Sequence, residues 1–172
     1  MTNKIVGGLD PSLSNFGMSR GTVYNGVLEI TSIALVTTKE DKTIKYKNER
    51  DLARAQQLLK AMLDFFDMVD TVYVEVPVGS QSARAMASYG ICVGVLSALG
   101  KKLVRVSAKD VKLFATGNSE ATKKDMIDWA VREYPHLPWK TRKVNGELVI
   151  TNTNEHVADS ISAIHAGLIN AN

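Results

Sequence analysis

Two carboxylates stand at the ends of two apolar stretches of the chain. Asp10 ends the stretch that begins at Lys4 and is followed at once by Pro11, and Glu75 ends a second, β-branched stretch shortly before Pro77. Because proline cannot donate to a sheet ladder, each acid is expected where a buried strand ends. Strand ends are where α/β sheets tend to place chemistry. For Asp10 a plain turn-opening role stays open, since Asp-Pro followed by serines also favours a turn.

A histidine and an aspartate three residues apart lie at the start of the last predicted helix. His156 and Asp159 therefore share one helix face. A surface histidine beside a first-turn acid that interacts with the helix dipole is the alternative interpretation. Together with the two strand-end acids, the pair would form an oxygen-rich pocket suited to Mg²⁺ or Mn²⁺. Two such ions can activate water and stabilise a leaving oxygen, so the set favours phosphodiester hydrolysis without a protein nucleophile.

Composition limits the class of protein. A chain of 172 residues, 45% hydrophobic and 23% charged, predicts a single globular domain over residues 1–172. The single cysteine, Cys92, excludes an internal disulfide and suits a reducing, cytoplasmic compartment. No signal peptide is evident, and the uncharged run 85–100 is too short to span a bilayer, so we expect no membrane association and a buried helix there. The net charge of +3, with basic residues clustered at 39–50 and 101–112, permits polyanion binding without establishing it.

The elements that must position the acids begin as an antiparallel sheet. Three strands are predicted, at 5–9, 16–24 and 27–36. The second and third are joined by Asn25-Gly26, the dipeptide that a tight type I′ hairpin prefers. An amphipathic helix over 48–68 and a central strand over 71–76 follow, so a crossover should bring Glu75 beside the first strand.

The second half of the chain alternates helices with one strand. The predicted elements are a helix rich in small residues from Ser82 to Leu99, a strand from Leu103 to Val106, a helix entered through Ser107, and a helix from Ser119 or Thr122 to about Tyr134. The basic connection from Lys140 to Thr153 has Asn145-Gly146 at its centre, which predicts a hairpin. Asn154 is expected to cap the last helix. The fold class is therefore α/β, with a mixed central sheet of about five strands, the first three antiparallel, flanked by helices.

Five segments resemble the RuvC family of Holliday junction resolvases, within the ribonuclease H-like superfamily of nucleases. They are GLDPSLSNFG, VYVEVPV, ASYGICVGVL, VSAKDVKLFATGNSEATKKDM and EHVADSISAIHAGL. Their order and spacing match the family over nearly the whole chain. The resemblance implies a ribonuclease H-like fold and a magnesium-dependent endonuclease that nicks Holliday junctions and other branched DNA. It also implies two metal ions per active site, with Mn²⁺ as a substitute for Mg²⁺.

The resemblance implies a role for each candidate residue. Asp10, Glu75 and Asp159 would bind metal, and His156 would be the fourth ligand, in a slot that holds Asp in some relatives and His in others. Lys123, in the segment ATGNSEATKK, would contact the DNA backbone near the scissile phosphate.

The family also acts as a homodimer. The corresponding contact here would be the helix predicted from Ser82 to Leu99, whose glycines and alanines allow close approach, although a core helix within one chain would explain them as well. Lys124 is the neighbour that could substitute for Lys123 at the phosphate.

The chain departs from the family in the residues around its motifs. Ser12 and Phe16 replace the usual Gly and Thr of the opening motif, and Val78 lies where many cellular members place an aromatic that pries at junction bases. A valine has no stacking face, so we expect selection by branch shape with weak sequence preference, unless Phe16 or Tyr89 supplies a ring. Diverged members are common among viruses, so the expected location is bacterial cytoplasm or an infected host cell.

Two functions other than a nuclease are compatible with parts of the sequence. Enzymes of the actin and sugar-kinase type open with a related strand-Asp-turn segment, but two such lobes need roughly twice this length. Their phosphate turn also relies on glycine amides that Pro11 and Ser12 do not supply. A catalytically inactive or non-junction nucleic-acid-binding protein of the same fold is the remaining alternative. A missing acid would indicate it, and all four proposed ligands are present.

Overall fold

A computed structural model describes residues 3–170, and its centre is a five-stranded mixed sheet. The strands are β1 (Lys4–Asp10), β2 (Asn15–Tyr24), β3 (Val27–Thr37), β4 (Thr71–Glu75) and β5 (Lys102–Val106), in the spatial order β3-β2-β1-β4-β5. The first three pair antiparallel, whereas β4 pairs parallel with both β1 and β5. The predicted sheet is confirmed.

Helices pack against both faces of this sheet. They are α1 (Lys47–Phe65), α2 (Ala83–Ser97), α3 (Ala108–Thr116), α4 (Lys123–Glu133) and α5 (Glu155–Asn170). Because side chains alternate along a strand, Val72 and Val74 join the apolar core formed with α1 and α2. Tyr73, between them, joins the second core, formed with α3, α4 and α5. Among residues 3–170, no helix has the length and apolar character needed to cross a membrane.

Two tight turns have the backbone that their sequences predict. Asn25 and Gly26 both have positive φ, at 51° and 81°, and so do Asn145 and Gly146, at 51° and 90°. Positive φ at both central positions is the requirement of a type I′ hairpin. The second turn joins β6 (Thr141–Val144) to β7 (Glu147–Ile150), which form a two-stranded sheet separate from the central one.

Side-chain caps fix the starts of three helices. The Ser107 hydroxyl accepts from the Asp110 amide at the start of α3, and the Ser82 hydroxyl accepts from the Ala85 amide at the start of α2. Thr122 and Asp125 form a complete capping box, so α4 begins after Thr122 rather than near Ser119.

Three predictions from the sequence need correction. The first helix ends at Phe65 rather than Met68, because the backbone of Phe66, with φ −101° and ψ 16°, has left the helical conformation. The helix that contains the uncharged run, α2, is not buried as a whole: it buries Cys92, Val95 and Leu96, while Met86 and Val93 are 46% and 45% exposed. It packs on the protein along one side, so its apolar composition does not measure its burial.

The third correction concerns Asn154, which does not cap α5. It is 1% exposed and ends a 3-10 turn over Asn152–Asn154. Its side-chain amide donates to the carbonyls of Lys140 and Thr151, and its side-chain oxygen accepts from the Lys140 amide. Asn154 therefore joins the two ends of the β6–β7 hairpin at the entrance to α5.

Candidate active site

Asp10 and Glu75 lie side by side at one edge of the sheet. Asp10 is the last residue of β1 and Glu75 the last of β4. These strands are parallel, with Leu9 opposite Val74, so the next residue of each strand is an acid. The strand-end placement expected from Pro11 and Pro77 is confirmed.

Glycines bring α5 directly onto this edge. The cross-strand partner of Asp10 is Gly17, and a Cβ on Gly17 would lie 2.0 Å from the His156 carbonyl oxygen. A Cβ on Gly8 would lie 1.8 Å from the Ser160 carbonyl oxygen. Any other residue at either position would collide with the helix backbone. The absence of these two side chains therefore determines how near His156 and Asp159 come to the strand-end acids.

His156 contacts Asp10 directly. Its Nδ1 lies 2.5 Å from Oδ2 of Asp10, and the two side chains are 22% and 16% exposed. Burial alone would lower the pKa of His156, but the hydrogen bond and the charge of Asp10 outweigh it, so the pKa of His156 is raised. The pair is a largely buried imidazole and carboxylate held at hydrogen-bond distance.

Glu75 and Asp159 are acids that the fold makes costly to ionise. Burial, with the nearby charge of Asp10, raises the pKa of Glu75 from 4.5 to about 7. Burial and the charges of Asp10, Glu75 and Glu155 raise the pKa of Asp159 well above its usual value. The Oδ1 atom of Asp159 is buried and, within the described chain, has no hydrogen-bond partner. A buried, unpaired carboxylate oxygen among like charges needs a cation or a proton.

Lys123 stands at the rim of this cluster. Its Nζ lies 2.7 Å from Oε2 of Glu155, and its side chain is 71% exposed. The hydrogen bond to Glu155 raises the pKa of Lys123, and the charges of Asp159 and Asp10 act in the same direction. Lys124, the alternative, instead pairs with Asp128 on α4. The structure therefore places Lys123 beside the acids and pairs Lys124 along its own helix.

Reasoning from the sequence missed two charged residues of this cluster. Glu155 raises the pKa of Asp159 and Glu75, whereas Lys112 lowers the pKa of both. Glu155 is the sequence neighbour of His156, and Lys112 belongs to the basic segment 101–112. The sequence shows that Glu155 adjoins His156 and that Lys112 is one of several clustered cations. Only the packing of α3 on α5 brings Lys112 to the site.

A cleft of about 560 Å³ opens beside the acids. Its lining includes Asp10, Glu75 and His156 together with the two cations Arg105 and Lys109. It also includes Ser12 and the two side chains considered above for contacts with bases, Val78 and Tyr89. The cleft thus combines an acidic cluster with basic residues that could meet phosphates.

Burial decides which side chains near Glu75 could stack on a DNA base. Val78 is 86% exposed. Phe16 has no exposed surface and cannot reach a base. Of the two aromatics considered from the sequence, only Tyr89 lines the cleft.

An arginine from α1 holds the connection that follows Asp10. Arg54 is 5% exposed, and its Nη2 donates to the Leu13 carbonyl at 3.1 Å and to the Ser14 hydroxyl at 2.9 Å. Asp51, one turn earlier, accepts from Arg84 of α2 at 2.7 Å. The turn between β1 and β2 is therefore fixed to α1, and α1 is fixed to α2.

The side chains of the acid cluster bear on whether it can hold divalent cations. As the side chains stand, no three His, Cys, Asp or Glu residues within the described ranges are arranged to hold one metal ion. The chemistry of the set nevertheless fits Mg²⁺ or Mn²⁺, because it provides carboxylates, one imidazole and the unpaired buried Oδ1 of Asp159. Asp10 and His156 satisfy one another in this arrangement.

The sheet order, the flanking helices and the strand-end acids define an α/β fold of the ribonuclease H-like class. RuvC of Thermus thermophilus superimposes with a TM-score of 0.62 at 19% identity, covering 97% of this chain and 93% of that one. The same protein in complex with Holliday junction substrate gives 0.64 at 17% identity, covering 98% and 93%. Fowlpox virus resolvase, solved with Holliday junction DNA, gives 0.50 at 12% identity, covering 97% and 98%.

The chain therefore has the fold of the RuvC resolvases, bacterial and poxviral, over nearly its whole length. The family resemblance inferred from the sequence motifs is confirmed at the level of the fold. No model of a protein family matches the sequence, and no curated protein does either.

Proposed function

We propose that residues 1–172 form one nuclease domain, a Holliday junction resolvase that nicks four-way junctions and other branched DNA by metal-dependent hydrolysis. The observation that carries the proposal is the acid cluster at the ends of β1 and β4, in which burial and like charges raise the pKa of Glu75 and Asp159. A protein gains nothing in stability from such a cluster, so its presence favours a function that uses it.

Asp10, Glu75, Asp159 and His156 would hold the metal, two Mg²⁺ ions per active site, with Mn²⁺ as a substitute. When bound, the ions supply an activated water and stabilise the charge on the leaving oxygen. The chain itself contributes the carboxylates, orients Asp10 through the 2.5 Å contact with His156, and keeps Oδ1 of Asp159 away from water. Lys123 would leave Glu155 and contact the phosphate, since its exposed side chain is held by that one ion pair among the described contacts.

The proposed substrate is supported by charge and by fold. Arg105 and Lys109 line the cleft beside the acids and could meet DNA phosphates. Two of the structures that share this fold were solved with Holliday junction DNA. The buried, free Cys92 suits a reducing compartment, bacterial cytoplasm or an infected host cell.

We further propose a homodimer that forms through α2, because a four-way junction presents two strands for symmetric cleavage. The exposed side of α2 carries Met86, Gly90 and Val93, which are apolar or small. A groove of about 540 Å³ runs between α1 and α2 and is lined by Leu52, Ile91 and other apolar residues. An exposed apolar face of this kind suits contact with a second copy. Sedimentation equilibrium of the purified chain would show the dimer mass.

The proposal is tested by incubating the protein with a labelled four-way junction, a Y-fork, linear duplex and single strands, with Mg²⁺ or with EDTA. We expect Mg²⁺-dependent nicks on the branched substrates only. Asp10→Asn should abolish cleavage and keep junction binding, because the carboxylate would hold metal while affinity comes from cations that meet phosphates.

Asp67→Asn is the matched control, since Asp67 is exposed and lies outside the acid cluster. It should cut like the wild type. A wild type that binds branched DNA but never cuts it would instead favour the inactive binding protein of the same fold.

A further inference from the structure

The β6–β7 hairpin is an exposed arm that serves neither apolar core. All its strand residues except Ile150 are exposed, and Leu148 reaches 69%. None of the eight strand residues belongs to the two clusters of buried side chains found within residues 3–170. Such a hairpin contributes little to folding, so its exposed side chains are available for contact with another molecule.

The base of this hairpin is fixed next to the acid cluster. The Thr151 amide donates to the Lys140 carbonyl at 3.0 Å, which closes the hairpin at its base. The buried Asn154 bonds both the amide and the carbonyl of Lys140, at 3.0 and 2.8 Å. His156 follows two residues later and contacts Asp10. The base of the arm therefore lies beside β3, at the end of the sheet where Asp10 lies.

Two adjacent cations of the arm point to opposite sides. Arg142 and Lys143 are consecutive in β6, so their side chains project from opposite faces of the ribbon. Their cross-strand partners are Val149 and Leu148, which carry no charge. Within the described part of the chain neither cation forms an ion pair. Each face of the arm thus carries one cation outside any ion pair, and the Arg142 face also carries the exposed Glu147, which lies opposite Val144.

We infer that the arm inserts between two DNA backbones at a branch point, with Arg142 contacting one backbone and Lys143 the other. Each strand has four residues, a length of about 14 Å, which is comparable with the width of a DNA groove. A linear duplex lying along the cleft offers its backbone to one face of the arm, whereas a branch surrounds the arm with two duplexes. This inference rests on the proposed function and names the element that distinguishes branched from linear DNA.

The test compares Arg142→Gln and Lys143→Gln with the double variant Lys4→Gln/Lys102→Gln. Lys4 and Lys102 are exposed and begin β1 and β5, at the end of the sheet opposite Asp10 and Glu75. Affinity for a four-way junction and for linear duplex is measured across a salt series. Each hairpin variant should weaken junction binding and reduce the salt slope by about 0.9, the change expected for one phosphate contact. The double variant Lys4→Gln/Lys102→Gln should leave the junction affinity and the salt slope unchanged. Arg142→Lys should retain most of the junction affinity.

On linear duplex no more than one of the two hairpin variants should lose affinity. Equal losses on junction and duplex from both variants would make the arm an ordinary backbone contact and overturn the inference. Hairpin variants that bind the junction like the wild type would also overturn it, and Mg²⁺-dependent nicking by the wild type would then leave the proposed function standing. A wild type that neither prefers nor cuts branched DNA would reject both. Folding is not at issue, because both positions are exposed, and circular dichroism would verify it.

Discussion

Replacing Glu75 with Gln should stabilise the metal-free protein at alkaline pH. In the folded chain the pKa of Glu75 is about 7, against 4.5 when it is free of burial and of Asp10. The folded state therefore binds more protons than the unfolded state between those two values, and stability falls as pH rises through that window. One pKa unit corresponds to about 1.4 kcal/mol, so the ionised carboxylate costs about 3 kcal/mol above pH 7. Glutamine removes this cost.

The assay is urea unfolding of wild type and Glu75→Gln in EDTA from pH 5 to pH 8, followed by circular dichroism. We expect the two to differ little at pH 5 and by about 3 kcal/mol in favour of the variant at pH 8. Asp159 shifts in the same direction, so it adds to the pH dependence of the wild type. Mg²⁺ at pH 8 should restore much of the stability of the wild type and less of the variant, which lacks one proposed ligand.

Glu29→Gln is the matched control, because Glu29 is an exposed acid on β3 and should show no such gain. If Glu75→Gln were less stable than the wild type at pH 8, or if wild-type stability were flat across the window, the reasoning from burial and like charges would be refuted.

Two further predictions concern cleavage. Lys123→Ala should slow nicking far more than it weakens junction binding, because a positive charge at the scissile phosphate stabilises mainly the transition state. Lys124→Ala, which loses only an ion pair with Asp128, should change little. Single-turnover rates and Kd are compared, and an equal loss in both for Lys123→Ala would identify an ordinary backbone contact. The wild type should nick a mobile junction at many different sequences. Val78→Phe should restrict the nicks to fewer sequences, because it adds a stacking face at an 86% exposed position. Wild-type cuts confined to one short sequence would contradict this prediction.

Local sequence signals predicted most of the secondary structure, because the signals act within a few residues. The Asn-Gly turns, the capping box at Thr122 and the prolines after Asp10 and Glu75 each determine backbone geometry where they stand. The candidate metal ligands could be named from their positions at strand ends and on one helix face. Their roles remain predictions.

Contacts between residues far apart in the sequence could not be predicted from local sequence signals. Arg54 lies about forty residues from the Leu13–Ser14 segment that it holds, and nothing in its local sequence indicates that contact. Asn154 has the residue type of a helix cap, but its side chain finds the Lys140 backbone across the hairpin base. The apolar sequence of α2 predicted burial, whereas burial depends on how many neighbours surround the helix.

The packing of α5 on Gly8 and Gly17 has a consequence for the mutations that the gene can tolerate. Neither glycine carries a functional group, yet a methyl group on either would push the helix that bears His156 and Asp159 away from Asp10. In a genetic screen for alleles that lose activity, these two positions would therefore fall in the same class as the acids. Every single-nucleotide change that replaces one of these glycines by another residue introduces a Cβ, so we expect missense changes to be harmful at both positions and far milder at the exposed Val78.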